Sequence, residues 1–352
     1  MIVIDGSFGE GGGQILRMSI GIAAALGKPI RVVNIRAKRR NPGLQRQHLT
    51  AIRVLQAITD AEVHGLELGS KEVTFIPRTL RGGRYRFDIG TAGSVTLVLQ
   101  ALLPVIPFLP QDLELEIRGG TDVPWSPPID FVRYVLVPHL RSMGYDVRIE
   151  LVRRGHYPRG GGIVKIFSRP RHRIEPVELL ERGPLKRIVG RSHCVRLPKH
   201  VAERQARAAE ELLRKLGVPI EIELEWYEPD KDPHLGPGSG IVLCAEFERS
   251  VMGADALGEK GKRAEVVGRE AAERLLEEIS SGAAVDRHVG DMLIPLASLA
   301  CGVTRIRVSR LTMHAYTMIE IVRKIVDAQI SAEPLEIDKP STIEIRGVCL
   351  ER

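Results

Sequence analysis

The chain has 352 residues, of which 43% are hydrophobic and 27% charged, as in an ordinary globular protein, and its length predicts two domains or one domain with an insertion. No apolar run is long enough to cross a membrane, and the N-terminus lacks the basic region and apolar core of a signal peptide, so we expect a cytoplasmic protein. The four cysteines form no CxxC pair, which argues against a zinc site and against a disulfide framework.

The formal net charge of +7 favours a polyanionic partner, and the distribution of the charges says more than their sum. No acidic residue occurs between Glu10 and Asp60. A short basic run is usually a solvated face, but a run of this length without carboxylates favours contact with phosphates. Its basic residues are Arg17, Lys28, Arg31, Arg36, Lys38, Arg39, Arg40, Arg46 and Arg53.

Three segments repeat one order along the chain: an apolar helix, a short strand, a polar loop and an amphipathic helix. This repetition predicts an α/β (α+β) protein built from three βαβ-type units. The four elements of the successive units are predicted at 14–26, 30–35, 36–43 and 44–58, at 94–103, 113–117, 118–124 and 127–143, and at 291–300, 305–308, 309–313 and 314–330.

The third unit lies too far along the chain to follow the second directly. The intervening sequence contains strand, helix and strand patterns of its own, which predicts a small α/β domain inserted at 183–275. The large domain would then comprise 1–182 and 276–352. Such an insertion is tolerated because the ends of a domain often lie close together.

A glycine-rich loop precedes the first predicted helix. Residues 9, 11, 12 and 13 are all glycine, which frees backbone N–H groups for a phosphate, although the loop matches neither a P-loop nor GxGxxG. Alone, such a loop is as often a packing corner. Glu10 within it is harder to explain by packing, and it predicts a ligand for Mg²⁺ or Mn²⁺.

Two further features point to phosphate chemistry. The loop before the second helix, residues 36–48, carries several arginines but no aromatic residue, which favours a phosphate over stacked bases. His314 lies where the last predicted helix begins. A structural histidine is the usual interpretation of such a residue, but a helix N-terminus disfavours imidazolium, so the sequence predicts a neutral, nucleophilic ring.

Several strings together resemble the RNA 3′-terminal phosphate cyclase family. They are DGSFGEGGGQILR (5–17), PGLQRQHLT (42–50), GTAGS (90–94), GGTD (119–122) and HYPRGGG (156–162). The similarity runs along most of the chain and is weakest in the insertion. It implies three repeats that resemble the C-terminal domain of translation initiation factor three, plus a small inserted domain.

The resemblance also implies an activity: ATP adenylates His314, the AMP passes to an RNA 3′-phosphate, and a 2′,3′-cyclic phosphate closes. Glu10 matches the metal position, and Mg²⁺ or Mn²⁺ is implied. Two residues depart from the family's usual sequence, Met292 and Met318. The implied site residues are Gln100, Pro127, His288, Asp291 and His314 for ATP, and Arg17, Arg39, Arg40, Gln47 and His48 for the phosphate and RNA end.

Three alternatives stay open at this point. A cyclase-like RNA-processing factor without catalysis would lack the nucleophile, which His314 argues against. An enolpyruvyl transferase would have six repeats and no need of this histidine, and a simple RNA-binding module would need neither Glu10 nor Asp291.

Overall fold

The computed structural model describes all residues, 1–352, as a mixed α/β protein. A π-helical turn, Val132–Leu136, joins α4 to α5. The helices are α1 Gly13–Leu26, α2 Arg46–Thr59, α3 Val95–Leu102, α4 Ile129–Phe131, α5 Val137–Ser142, α6 His200–Leu213, α7 Ala264–Ser280, α8 Arg287–Ala297 and α9 Met313–Ile325. The strands are β1 Ile2–Asp5, β2 Ile30–Val33, β3 Glu62–His64, β4 Val73–Ile76, β5 Gly83–Asp88, β6 Leu113–Gly119, β7 Asp146–Arg153, β8 Gly162–Arg169, β9 Glu178–Leu179, β10 Leu185–Val195, β11 Ile220–Glu225, β12 Gly238–Phe247, β13 Val251–Leu257, β14 Val303–Val308, β15 Gln329–Glu333 and β16 Ser341–Arg346.

Three of the four sheets have the same topology. Their strand orders are β1-β2-β4-β3, β5-β6-β8-β7 and β9-β14-β16-β15. In each, the first two strands are parallel and the last two join by antiparallel pairing. A parallel pair needs a helical crossover, which α1, α3 and α8 supply. The repeated unit is therefore βαβαββ, which extends the βαβ pattern predicted from the sequence.

The helices of the three units pack together around α1. Residues Ile15 to Ala25 of α1 are all buried, and the helix contacts α2, α3 and α9. A helix that is apolar on every side belongs in a core, and here one cluster of 77 buried residues joins the three units. This packing brings distant parts of the chain, including α1 and α9, side by side.

The insertion forms the fourth sheet, β11-β10-β12-β13, covered by α6 and α7. It has a core of 14 buried residues, although Val242 and Cys244 belong to the large core. Its last helix ends at Ser280, beyond the boundary predicted at residue 275. The division into two domains stays a prediction.

Most of the predicted helices and strands are present within a few residues, and the mixed α/β class is confirmed. The likeness to translation initiation factor three stays a prediction. None of the helices combines the length and apolar character needed to cross a membrane. The sequence argued against a disulfide framework, but Cys301 and Cys349 form one disulfide. They lie 48 residues apart in sequence but meet because Cys349 N–H donates to the carbonyl of Ala300.

Arg154, which directly follows β7, joins the end of that strand to β11 of the fourth sheet from a fully buried position. Its guanidinium bonds to Asp130, to Asp122 (Nη1–Oδ2 3.2 Å) and to Glu225 of β11 (Nη2–Oε2 2.7 Å).

We expect Arg154→Met to lower the free energy of unfolding by about 3–5 kcal/mol, because two buried carboxylates lose their countercharge. Chemical denaturation measures this. Arg187→Met is the control, since Arg187 forms an exposed pair with Glu246 and its loss should leave no measurable change. Equal effects of the two variants would contradict the prediction.

Candidate active site

Several helix N-termini converge on one cavity of about 850 Å³. Residues in the first turns of α1, α2, α8 and α9 line it, namely Gln14, Gln47, His288 and His314. Each N-terminus carries partial positive charge and free N–H groups. The combined field favours an anionic ligand, and the volume fits one of nucleotide size.

The glycine-rich loop forms one wall because other side chains lie directly on it. Lys38 Nζ donates to the Gly9 carbonyl at 2.8 Å. A Cβ at Gly11 would lie 2.8 Å from Lys38 Cδ, and one at Gly12 would lie 2.7 Å from Arg39 Nη2. Glycine at both positions lets these side chains lie against the loop backbone. The loop therefore packs against two cations of the acid-free segment, of which Arg39 lines the cavity.

Arg17 is a buried cation that forms no hydrogen bond and no ion pair. It is the only charged residue of α1 and is 7% exposed, and its Nε atom is buried without a partner. Burial lowers the pKa of Arg17 to about 10, so the side chain is still charged at neutral pH. A buried charge without a partner is costly unless a ligand supplies the countercharge. Because Arg17 lines the cavity, an anion such as phosphate would supply that countercharge.

His314 is oriented by the Gln14 side chain. His314 Nδ1 lies 2.5 Å from Gln14 Oε1 and 2.5 Å from Glu10 Oε2. A hydrogen on Nδ1 can point at only one of these two oxygens. The geometry of a hydrogen bond is satisfied for Gln14 Oε1 and not for Glu10 Oε2. Proton donation from Nδ1 leaves the lone pair of the neutral ring on Nε2. Nε2 has no protein partner, so this nitrogen is free to act as a nucleophile.

The neighbours of His314 oppose the effect of the helix N-terminus on its pKa. Burial lowers the pKa of His314, but the Glu10 carboxylate outweighs burial, and the net pKa is raised. Burial raises the pKa of Glu10, but His314 and Arg39 lower it by more. The net pKa of Glu10 is therefore lowered, and the carboxylate stays ionised. The helix N-terminus is therefore opposed by a carboxylate that the local sequence of α9 does not reveal.

Glu10 also has the arrangement that a hard divalent cation requires. Its Oε1 pairs with Arg39, while its Oε2 is buried and accepts no hydrogen bond. A single carboxylate at a phosphate site is the usual contribution of protein to bound Mg²⁺ or Mn²⁺, with waters and phosphate oxygens completing the shell. Glu10 thus fits the metal position implied by the sequence.

A second group of lining residues contains Asp291, His288, Gln100 and Met292. Asp291 accepts from Thr312 Oγ1 at 2.6 Å, and burial raises its pKa to about 7. Burial lowers the pKa of His288 to about 4, and its ring packs edge-on against Phe131. Gln100 Nε2 donates to the Met292 sulfur at 3.2 Å, so Met292 occupies the wall in place of a polar side chain. A planar ring with polar edges fits this pocket.

The structure brings together all the predicted site residues except one. Gln100, Pro127, His288, Asp291, His314, Arg17, Arg39, Gln47, His48 and Glu10 all line the cavity. Arg40 is exposed and does not line it. Met318 is fully buried in the core, so that departure lies away from the cavity.

Gln47 and His48 lie in the first turn of α2, where it lines the cavity. Gln47 Oε1 accepts from the Ser94 N–H at 2.9 Å, and His48 Nδ1 accepts from the Gln45 N–H at 3.1 Å. Burial lowers the pKa of His48 well below its ordinary value, helped by Arg17. His48 is therefore neutral beside the buried guanidinium.

Sequence reasoning did not assign several other lining residues to the site, including Gln14, Trp125, Tyr157, Asp255 and Arg274. Asp255 and Arg274 belong to the insertion, whose strand β13 and helix α7 reach the cavity. No local signal marks those two residues. Gln14 stands within a quoted motif, but its partner lies 300 residues away.

Comparisons with known proteins agree on one family. The model of the RNA 3′-terminal phosphate cyclase family matches residues 8–332. A protein of that name from Hyperthermus butylicus is 60% identical and covers 99% of both chains. Another from Ignicoccus hospitalis is 56% identical and covers 100% of both. Among solved structures, the enolpyruvyl transferase NikO from Streptomyces tendae matches 99% of this chain and 49% of its own at 10% identity, with a TM-score of 0.39, which is too low to carry an argument.

Proposed function

The chain belongs to the RNA 3′-terminal phosphate cyclase family, and we propose that it performs the family's reaction by adenylating its own His314. The observation that carries the proposal is the arrangement at His314: Nδ1 is held by Gln14, and Nε2 is free in a cavity with an unpartnered arginine. ATP and an RNA 3′-phosphate are the substrates that this reaction requires. Gln100, Pro127, His288 and Asp291 would surround the adenosine.

The first step would join His314 to AMP. The Nε2 lone pair attacks the α-phosphorus of ATP, an N–P bond forms, and the bond to pyrophosphate breaks. When bound, a divalent cation held by Glu10 and the phosphate oxygens would neutralise the negative charge of the departing pyrophosphate. Arg17, Arg39 and the helix N-termini stabilise the remaining negative charge.

The next two steps would use the same anion site for the RNA end. An oxygen of the RNA 3′-phosphate attacks the adenylate phosphorus, and the N–P bond breaks to return neutral His314. The adjacent 2′-hydroxyl then attacks the activated RNA phosphorus, loses its proton and expels AMP. This closure is intramolecular, so holding the ribose correctly supplies much of the acceleration. Arg17, Arg39, Gln47 and His48 are placed to hold that end.

The test is incubation of the purified protein with ATP labelled at the α-phosphate and a divalent cation, without RNA. We expect a covalent adduct that survives alkali and is lost in acid, as a phosphoramidate does. Addition of a 3′-phosphorylated oligonucleotide should then release labelled AMP and yield a cyclic end. If the protein binds ATP but takes up no label, the covalent mechanism is wrong, and the non-catalytic RNA-processing alternative gains support.

A further inference from the structure

The chain displays only two exposed aromatic side chains, and both border the active-site cavity. Among its seven Phe, six Tyr and two Trp residues, only Trp125 and Tyr157 are exposed, by 98% and 70%. Both line the cavity that contains His314. Exposed aromatic rings beside an anion site are the elements from which proteins build platforms for single-stranded nucleic acid.

Trp125 is held outward by a constrained backbone. Its φ is +61°, a left-handed conformation that is unfavourable for a bulky residue and persists only where the surroundings impose it. The loop around it is fixed at both ends: Ser126 Oγ donates to the Val123 carbonyl at 3.1 Å, and Thr96 Oγ1 donates to the Pro127 carbonyl at 2.8 Å. The indole therefore stands on a rigid support.

Tyr157 is linked to the side of the cavity where the RNA end would lie. It precedes a turn in which Gly160 packs so closely on the 91–92 backbone that a Cβ would lie 2.8 Å from Ala92 Cα. That segment continues to Ser94, whose N–H binds Gln47. A continuous set of contacts thus joins Tyr157 to a residue placed at the RNA end.

The adenine of ATP is a less suitable ligand for these two rings. The inner wall contains Phe131, which is fully buried and packs edge-on against His288, whereas Trp125 has almost no protein against either face. In the proposed function, ATP lies within the cavity. An RNA strand whose 3′-phosphate reaches Arg17 must continue outward across the rim, where its bases can meet exposed rings.

We propose that Trp125 and Tyr157 stack on the terminal bases of the RNA strand, an inference that rests on the proposed function. Every base has a π face, so such a platform strengthens binding of single-stranded ends without selecting a sequence. The substrate class would then be an unpaired 3′ end of at least two nucleotides, with charge contacts at the phosphate and stacking outside it.

The test compares two oligonucleotides that differ only in whether the last two positions carry bases or are abasic, both with a 3′-phosphate. For Trp125→Ala we expect the KM of the normal oligonucleotide to rise roughly tenfold, with most of the loss restored in Trp125→Phe. The abasic oligonucleotide should bind weakly to the wild-type protein. Trp125→Ala should bind it with the same weak affinity. Trp226→Ala is the matched control, because the other tryptophan packs against Lys199 in the insertion.

Uptake of labelled AMP without RNA separates this inference from the proposed function. The stacking inference requires that Trp125→Ala match the wild type in this assay. A loss of AMP uptake in Trp125→Ala would assign the ring to ATP and overturn it, as would equal KM changes for both oligonucleotides. If the wild-type protein takes up no AMP, the proposed mechanism fails, and fluorescence anisotropy of the two oligonucleotides still tests stacking directly.

Discussion

Replacement of His314 by Asn should abolish covalent uptake of AMP and reduce cyclisation by at least about 1,000-fold, because the variant lacks the imidazole nitrogen that is proposed to attack ATP. Asn is chosen because its amide nitrogen can take the place of Nδ1 and donate to Gln14 Oε1, the contact made by His314. The variant should therefore fold normally and bind ATP. The measurement is label from α-labelled ATP that stays with the denatured protein.

Two histidine variants serve as controls for this experiment. His64→Asn changes an exposed histidine far from the cavity and should take up label at the wild-type rate. His48→Asn should also be labelled, because its role is proposed at the RNA end, but it should lose activity with RNA. An adduct that persists in the His314 variant would contradict the nucleophile assignment.

Much of this site could be predicted from the sequence because its parts are local. The glycine run before α1, the cations after β2 and the histidine at the start of α9 each follow from patterns within a few residues. Their assembly could not be predicted in this way. The pKa of His314 depends on Glu10, and the helix N-terminus alone suggested the opposite direction.

The unpredicted features share one physical reason: they depend on burial or exposure, which pairing between distant segments decides. A tryptophan is usually buried, and the sequence does not show that the loop holds Trp125 outward. Arg17 reads as one of many cations until α1 is seen to be buried throughout. The arginines are alike in sequence, but only their surroundings distinguish an unpartnered buried cation from Arg31, which pairs with Glu72 at the surface.

Replacement of Arg17 by Met should lower the kcat/KM for cyclisation by about 100- to 1,000-fold and at the same time stabilise the free protein. Activity falls because the phosphate loses a desolvated countercharge. Stability rises, by about 1–4 kcal/mol, because a buried charge without a partner is replaced by an apolar side chain of similar length. The lowered pKa of Arg17 leads to the same conclusion. At every pH below about 10 the charged guanidinium lowers the stability of the folded protein. Enzyme kinetics and chemical denaturation, both at neutral pH, measure the two effects.

Inorganic phosphate distinguishes this explanation from a structural role for Arg17. An anion that binds the folded protein raises its stability in proportion to its affinity, so phosphate should raise the melting temperature of the wild type and do so much less for Arg17→Met. Arg53→Met, on the exposed side of α2, should leave both activity and the phosphate response unchanged. A structural arginine would show the reverse pattern, with a destabilised variant whose response to phosphate is intact. Opposite changes in stability and activity at Arg17 are expected if the fold holds this unpaired charge for a ligand.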